Sequence, residues 1–344
     1  MEILQTIWFI LIAVLWLGYL FLEGFDLGVG VLMKTLAKNE KERRVLLNSI
    51  GPVWDGNEVW LLTAGGATFA AFPMWYASLF SALYLPLTLA LVALILRAVS
   101  IEYRGKGHSD QWRNFWTWAM AGGSALAAFC VGAMLALTTT GLPLNENGDN
   151  IGGPFAWVTL YAVIGGLGVL GFSILHGLLF VSLKTEGDIR HRAHALAAKW
   201  GPVFLLPIVV WVVIVQVMHG PAWGWAIIAV AAVFAAISWV RLRAGSEKGG
   251  FIFQGLFLVA GVVSVFASIF PNVLPSTINP DFSLTIANAS SSNYTLGVML
   301  WVTVIFVPIV LAYTVFSYTL WAKRLHVDHI PEAHQIPVAA RIKA

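Results

Sequence analysis

Two acidic residues, Glu23 and Asp26, lie in the middle of a long apolar stretch of the sequence. They are three residues apart, so a helix would present both carboxyl groups on one face. A charged side chain in hydrocarbon costs about 2.5–3.5 kcal/mol, and such a group therefore needs a partner, water or a task. Two interpretations remain open: a hydrogen-bonding pair between packed helices, or acids that conduct protons or contact a ligand.

A second acidic pair, Asp55 and Glu58, follows Pro52 in the segment Gly-Pro-Val-Trp-Asp-Gly-Asn-Glu-Val-Trp at 51–60. Proline is common at the start of a helix, and acids in the first turn are favoured by the unpaired backbone N–H groups there. A helix-start role is therefore one interpretation. The segment is otherwise apolar, and it carries two acids where protons would enter from the cytoplasm, so a proton-entry role is the other.

His176 is the one histidine that lies well inside an apolar stretch, whereas Arg97 ends such a stretch and Glu102 follows it. A single histidine cannot form a bis-histidine haem site, so we predict that this chain alone binds no haem and no metal. His176 is then a packing residue or a proton relay. Arg97 and Glu102 could pair with the buried acids, although side chains that extend to the membrane surface would explain them almost as well.

The composition indicates a membrane protein. Of the 344 residues, 59% are hydrophobic and only 11% are charged, against about a quarter charged in soluble domains. The sequence predicts an all-α polytopic membrane protein of about nine transmembrane helices, because nine apolar stretches have the length of a bilayer span: 7–33, 56–72, 76–98, 115–138, 155–183, 201–219, 222–241, 251–270 and 295–321.

The basic residues indicate the orientation. All 20 lysines and arginines lie in alternate connections, at 34–44, 97–113, 184–199, 241–248 and in the tail from Lys323. Positively charged loops stay in the cytoplasm, so these segments and the C-terminus are predicted to be cytoplasmic and the N-terminus outside. The basic loops are short and contain acids, which gives nucleic-acid binding no support.

The chain also matches itself at an offset of 150 residues. Each matched Lys-Thr pair ends a long apolar stretch, and each matched Gly-Pro pair opens the next after a basic loop. The offset covers an even number of spans, so the halves would share one orientation. We predict a single membrane domain (1–344) with a four-helix bundle at 1–150, a second at 151–290, and a ninth helix with a cytoplasmic tail at 291–344. The matches are Lys34-Thr35 with Lys184-Thr185 and Gly51-Pro52-Val53 with Gly201-Pro202-Val203, and Asp26 falls on His176.

Several motifs resemble those of subunit 2 of cytochrome bd-type quinol oxidases. They are Glu23-Gly-Phe-Asp-Leu-Gly28, Glu42-Arg-Arg, Trp54-Asp-Gly-Asn57, Thr63-Ala-Gly-Gly66, Arg97 with Glu102-Tyr-Arg104, and Leu175-His-Gly177 followed by Lys184-Thr-Glu-Gly187. Beyond residue 205 the resemblance rests mainly on hydropathy.

The resemblance implies a terminal oxidase of the bacterial cytoplasmic membrane that oxidises quinol and reduces oxygen to water. It implies that haems b and d belong to a partner, subunit 1, and that small accessory subunits, membrane lipids and a bound lipid quinone accompany some members. By the same resemblance Asp55 lines a proton pathway from the cytoplasm, with Asp26 and Glu23 as neighbouring acids. Some relatives carry Asp where this chain has Glu23.

Two other functions fit the residues. A secondary transporter whose bundles rock about a midplane acidic site is compatible with a repeat and intramembrane acids. Its binding site would usually lie between broken helices, but the prolines deep in spans, such as Pro86 and Pro308, are not at corresponding positions of the two halves. A purely structural partner that conducts no ion is the third interpretation.

Overall fold

The computed structural model describes residues 3–107 and 109–330, so the predicted tail lies outside the described residues from 331 onward. The only strands described, β1 (Asn272–Leu274) and β2 (Leu284–Thr285), form one short antiparallel pair. The predicted all-α class is confirmed. The helices are α1 (Ile3–Thr35), α2 (Glu40–Ile50), α3 (Trp54–Ala71), α4 (Pro73–Ala82), α5 (Tyr84–Tyr103), α6 (Asp110–Thr140), α7 (Leu160–Lys184), α8 (Asp188–His219), α9 (Gly224–Arg243), α10 (Glu247–Ile269) and α11 (Asn293–Leu320).

The number of membrane crossings agrees with the sequence. Eight described helices, α1 and α5 to α11, are long and apolar enough to cross a membrane. The second predicted span is α3, whose first turns are made polar by Asp55, Asn57 and Glu58. Its 18 residues extend about 27 Å, and at the end opposite α2 the Ser291 N–H donates to the Ala71 carbonyl. We therefore count α3 as the ninth crossing.

The third predicted span, 76–98, is not a single helix. It consists of α4 and α5, which are interrupted at Leu83. Pro86 has no N–H to donate to the carbonyl of Ala82, and its ring crowds the preceding turn. The chain therefore bends where the apolar pattern alone indicated a continuous span.

The predicted loop at 184–199 is wrong over most of its length, because α8 begins at Asp188 and passes through Gly201 and Pro202 without a break. Pro202 cannot donate to the carbonyl of Ala198. The indole N–H of Trp239 donates to that oxygen at 3.0 Å instead. The exposed carbonyl is thus satisfied, and the helix continues through the proline.

The two halves meet where α1 packs against α7, the helices that the 150-residue offset superposes. Gly28 of α1 lies against the backbone of Ser173 and Gly177, and a Cβ atom at position 28 would collide with the Ser173 carbonyl. Small residues allow this close approach of helix backbones. In chain order α1, α3, α4–α5 and α6 form the first half and α7 to α10 the second, and α11 follows.

Ion pairs connect the helix ends on the face that carries the basic residues, which we call the basic face. Arg192 of α8 donates to Glu42 of α2 at 2.6 Å. Burial alone would raise the pKa of the Glu42 carboxyl, but hydrogen bonds from Arg192 and from the Lys38 backbone N–H lower this pKa below its ordinary value. Arg190 and Arg324 likewise contact Glu247, at 2.8 and 3.3 Å. These pairs tie the two halves and the segment after α11 together.

Helix α11 is the least buried of the candidate spans. Only 6% of its most apolar window is buried within the chain, compared with 78% for α6, and Leu296 is its one buried residue. After α11, Arg324 donates to the carbonyls of Ser182 and Thr185 at 2.9 and 2.8 Å, which anchors the chain to the end of α7. The rest of α11 therefore presents an apolar surface to its surroundings.

Candidate functional site

A buried arginine joins two acids from different helices. Arg97 of α5 contacts Glu23 of α1 at 2.7 Å and Glu58 of α3 at 2.9 Å. The Arg97 and Glu23 side chains have no exposed surface, and that of Glu58 is 21% exposed. The contact with Glu58 is also a charge-assisted hydrogen bond, whereas the contact with Glu23 is an ion pair whose atoms make no hydrogen bond in the described structure. The planar guanidinium is suited to bridging two carboxyl groups. We call Glu23, Asp26, Glu58 and Arg97 the acidic cluster.

Asp26, the fourth member of the cluster, is held by a different set of contacts. Its Oδ2 accepts a hydrogen bond of 2.7 Å from the Asn57 amide, and the Asn57 Oδ1 accepts one of 2.9 Å from the Tyr318 hydroxyl. Asp26 and Asn57 are buried. Because Tyr318 donates, the amide is oriented with its N–H groups toward Asp26. Tyr318 belongs to α11, so the ninth helix contributes to the site.

The charges of the cluster do not balance when every member is ionised. Arg97 contacts Glu23 and Glu58, while Asp26 is hydrogen-bonded to Asn57, so full ionisation would leave three negative charges and one positive charge in a largely buried setting. Unpaired buried charge is costly, and taking up protons relieves it. Both carboxyl oxygens of Glu23, Asp26 Oδ1, and Arg97 Nε and Nη2 have no hydrogen-bond partner in the described structure, which leaves atoms to which water can bind. The arrangement is therefore chemically suited to binding and releasing protons.

Asp55 lies outside the buried cluster. It is exposed in the first turn of α3, and Glu58 follows three residues later, deeper along the same helix. No side chain caps the start of α3, where Val53 occupies the N-cap position. Exposure therefore decreases from Asp55 through Glu58 to Glu23.

The structure does not bring Glu102 and His176 into the cluster. Glu102 is exposed near the end of α5, and it is the buried Arg104 that pairs with an acid in this region, contacting Glu40 at 2.6 Å. The His176 Nε2 lies 3.0 Å from the Phe21 carbonyl. Because aromatic rings surround the imidazole, this geometry favours the packing interpretation of His176 over the relay.

The surroundings of His176 and the grouping of possible metal ligands indicate which cofactors the described residues could hold. The His176 ring centroid lies 5.0 Å from that of Phe172 and 4.7 Å from that of Phe251, both stacked. Among the described residues no three histidine, cysteine or acidic side chains converge as they would around a metal ion.

Two residues of the site, Asn57 and Tyr318, were not predicted from the sequence. For Asn57 the one available signal was its polar side chain in the Trp54-Asp-Gly-Asn57 motif, and for Tyr318 the sequence offered no signal.

Fold and site together define a class: a polytopic membrane protein that encloses a cluster of ionisable side chains. A family model described as cytochrome bd terminal oxidase subunit II matches residues 4–321. The chain belongs to this family. It is accordingly a subunit of a quinol oxidase complex, as the sequence predicted, and family membership favours this function over a secondary transporter.

Individual relatives agree along nearly the whole chain. Cytochrome bd ubiquinol oxidase subunit 2 of Bacillus subtilis (strain 168) is 37% identical over 332 residues, which cover 94% of this chain and 98% of the relative. Cytochrome bd-I ubiquinol oxidase subunit 2 of Escherichia coli (strain K12) is 34% identical over 355 residues, covering 92% and 94%. A chain of the bd oxidase structure from Geobacillus thermodenitrificans shares the fold, with a TM-score of 0.74 at 16% identity over 93% of this chain and 99% of that one.

Proposed function

We propose that this chain supports a haem-bearing partner, subunit 1, in the oxidase and admits protons to it from the cytoplasm. One observation carries the proposal: Arg97 contacts both the fully buried Glu23 and the partly buried Glu58, and Glu58 follows the exposed Asp55 on α3. Reduction of oxygen to water consumes protons. The acids offer successive positions for those protons from the basic face to the interior.

The haems b and d are proposed to lie in the partner, where they would carry electrons and bind oxygen. The residues of this chain support that division. His176, the intramembrane histidine, has its Nε2 at the Phe21 carbonyl and its ring between two phenylalanines, so it does not fit as an axial haem ligand.

The partner is proposed to cover α11 and the neighbouring surface of α3. Large apolar side chains of both helices are exposed, including Leu62 and Phe69 of α3 and Ile305 and Ile309 of α11. Contiguous apolar surface of this kind marks an interface with protein or lipid. Asp55 lies in the first turn of α3, so a partner in this position would lie close to the proposed proton entry.

The basic face is proposed to be cytoplasmic, with the N-terminus outside. Lysines and arginines collect on this face, and such residues are retained in the cytoplasm. Labelling of a single cysteine at position 41 in intact cells tests the orientation. If a reagent that cannot cross the membrane modifies this cysteine, position 41 lies outside the cell and the proposed orientation is wrong.

Replacement of Asp55 by asparagine tests proton entry. Asparagine keeps the size and most hydrogen-bonding capacity of the side chain, so the helix-start role should lose at most about 1 kcal/mol. Assembly and haem content should survive. Quinol-driven oxygen consumption should decrease about tenfold, equivalent to about 1.4 kcal/mol in the rate-limiting barrier, because the ionisable group is lost. Asp55→Glu should recover part of the rate.

The matched control is Asp188→Asn. Asp188 is also an exposed acid in the first turn of a helix, α8, on the same face, and its replacement should leave the rate unchanged. If Asp55→Asn assembles and respires at the rate of the unmodified complex, the proton-entry role is wrong and the helix-start interpretation stands.

A lipid quinone is proposed to bind in an apolar cavity of about 440 Å³ between α7, α8, α9 and α10. Gln254 lines this cavity, is fully buried, and has no hydrogen-bond partner for either atom of its amide in the described structure. An unsatisfied buried amide is costly. A quinone carbonyl can accept from its N–H, and the apolar walls suit an isoprenoid tail.

Solvent extraction of the washed complex, followed by chromatography, measures the amount of quinone bound per assembly. The unmodified complex should retain about one quinone per assembly, and Gln254→Leu should retain several-fold less at equal haem content. Equal retention by the two complexes would exclude Gln254 as the contact.

A further inference from the structure

A second apolar groove, distinct from the proposed quinone cavity, lies beneath α11 at the basic face. It has a volume of about 500 Å³ and is lined by α1, α7, α10 and α11, with Phe25, Phe180 and Phe251 among its walls. Thr314 and Tyr318 of α11 complete it, and both are partly exposed. The groove is therefore reachable from the surroundings of the helices, and its size is that of a site for an amphiphilic small molecule.

Lys184, the last residue of α7, lines the same groove at its end on the basic face. Its side chain is partly buried, and its ammonium group has no hydrogen bond or ion pair with any described residue. The nearby Glu247 is already engaged by Arg190 and Arg324. A partly desolvated ammonium without an anion is unfavourable, so this end of the groove is complementary to negative charge.

The repeat supplies an internal comparison, because Lys34 occupies the equivalent position at the end of α1. The ammonium group of Lys34 donates to Asn114 Oδ1 at 2.6 Å and lies 4.6 Å from the centroid of the Trp118 ring. Lys34 is thus satisfied within the chain by an amide and a cation–π contact. Lys184 lacks such partners although the two lysines arise from matching sequence motifs. The difference points to a partner for Lys184 from outside the chain.

We propose that the groove binds an anionic phospholipid of the cytoplasmic leaflet, with Lys184 at the phosphate and the acyl chains against the phenylalanines. Basic positions between helices on this side of a membrane protein recognise anionic headgroups. The lipid would fill the space between α11 and the rest of the molecule. Since α11 buries only Leu296 within the chain, the lipid would also help to hold the ninth helix in place.

Native mass spectrometry of the detergent-solubilised, delipidated complex tests the proposal. Phosphatidylglycerol and phosphatidylcholine with the same acyl chains are added in turn, and bound lipids are counted. The unmodified complex should bind one phosphatidylglycerol about tenfold more tightly than phosphatidylcholine. Lys184→Gln should lose this preference, Lys184→Arg should keep it, and Lys34→Gln should also keep it, because Lys34 already has partners within the chain.

A second variant tests whether the groove itself binds the lipid, and this test remains possible if Lys184→Gln does not assemble. Thr314→Phe fills the groove from α11 and leaves Lys184 in place, so phosphatidylglycerol binding should weaken about tenfold while the haem spectrum is unchanged. The site is refuted if the unmodified complex shows no preference between the lipids, if Lys34→Gln and Lys184→Gln reduce the preference equally, or if Thr314→Phe binds phosphatidylglycerol as tightly as the unmodified complex.

Discussion

Replacing Arg97 by glutamine should prevent assembly of the oxidase. Arg97 is fully buried between Glu23 and Glu58, so its loss leaves two carboxyl groups without a cation. Removing one partner of a buried ion pair costs about 3–5 kcal/mol, a large fraction of the roughly 5–15 kcal/mol that stabilises a folded domain. Little haem-containing complex should be recovered, as measured by the reduced-minus-oxidised spectrum of washed membranes and by the amount of this chain in them.

Two further variants separate charge from geometry. Arg97→Lys keeps the positive charge but replaces a planar group that bridges two carboxyl groups by a single ammonium, so recovery should be partial. In the double variant Arg97→Gln with Glu23→Gln, one uncompensated acid is removed together with the cation, and recovery should exceed that of Arg97→Gln alone.

The matched control is Arg113→Gln. Arg113 pairs with Asp110 at 2.8 Å, three residues before it in the same helix, and Asp110 is almost fully exposed. Exposed pairs of this kind contribute little, so the complex should accumulate normally. Recovery of Arg97→Gln at the level of the Arg113→Gln control would show that the acidic cluster does not need its cation.

The members of the acidic cluster could be recognised in the sequence because ionisable residues are rare in apolar stretches. Glu23, Asp26 and Arg97 each stand out for this reason. Their pairing could not be predicted, because Arg97 lies 39 residues from Glu58 in the chain and the contact depends on how α1, α3 and α5 pack. The resemblance of motifs predicted a role for these acids, and only the fold shows that one arginine contacts two of them.

Tyr318 was not singled out from the sequence but contributes to the site, whereas Glu102 was singled out and lies outside the acidic cluster. Tyr318 lies in the apolar α11, where a tyrosine has no distinguishing pattern, and its contact with Asn57 spans 261 residues. Glu102 was a candidate because it follows Arg97 closely in the sequence. Five residues separate the two, which in a helix places Glu102 about 140° around the axis from Arg97, on a face that is exposed.

The repeat could be predicted from short matches, but its local structure could not. The matched Gly-Pro pairs occupy different conformations: Gly51 and Pro52 lie between α2 and α3, whereas Gly201 and Pro202 lie inside α8. The indole of Trp239 satisfies the carbonyl freed by Pro202. A contact from another helix thus determines whether the same dipeptide ends a helix or is accommodated within it.

Replacing Gly28 by leucine should also prevent assembly, for a steric reason. A Cβ atom at this position would overlap the Ser173 carbonyl and lie within 3.0 Å of the Gly177 Cα. Backbone atoms cannot rotate away as a flexible side chain can, so α1 and α7 would have to separate. Overpacking of a well-packed interior destabilises a protein by about 1–3 kcal/mol. A clash with backbone atoms should cost at least as much as the upper end of this range. Separation would also displace Glu23 and Asp26, which lie on the same helix.

Gly122→Leu is the matched control, because Gly122 is also a glycine within a membrane-spanning helix, α6, and no atom lies within 4 Å of a Cβ built there. The same side chain is therefore added to a helix of the same protein without a clash, and the complex should accumulate with normal haem content. Gly28→Ala should give an intermediate loss, since even a methyl group meets the Ser173 carbonyl. If Gly28→Leu and Gly122→Leu yield equal amounts of spectrally normal complex, the α1–α7 contact is looser than the structure shows, and the two halves are not held together at this position.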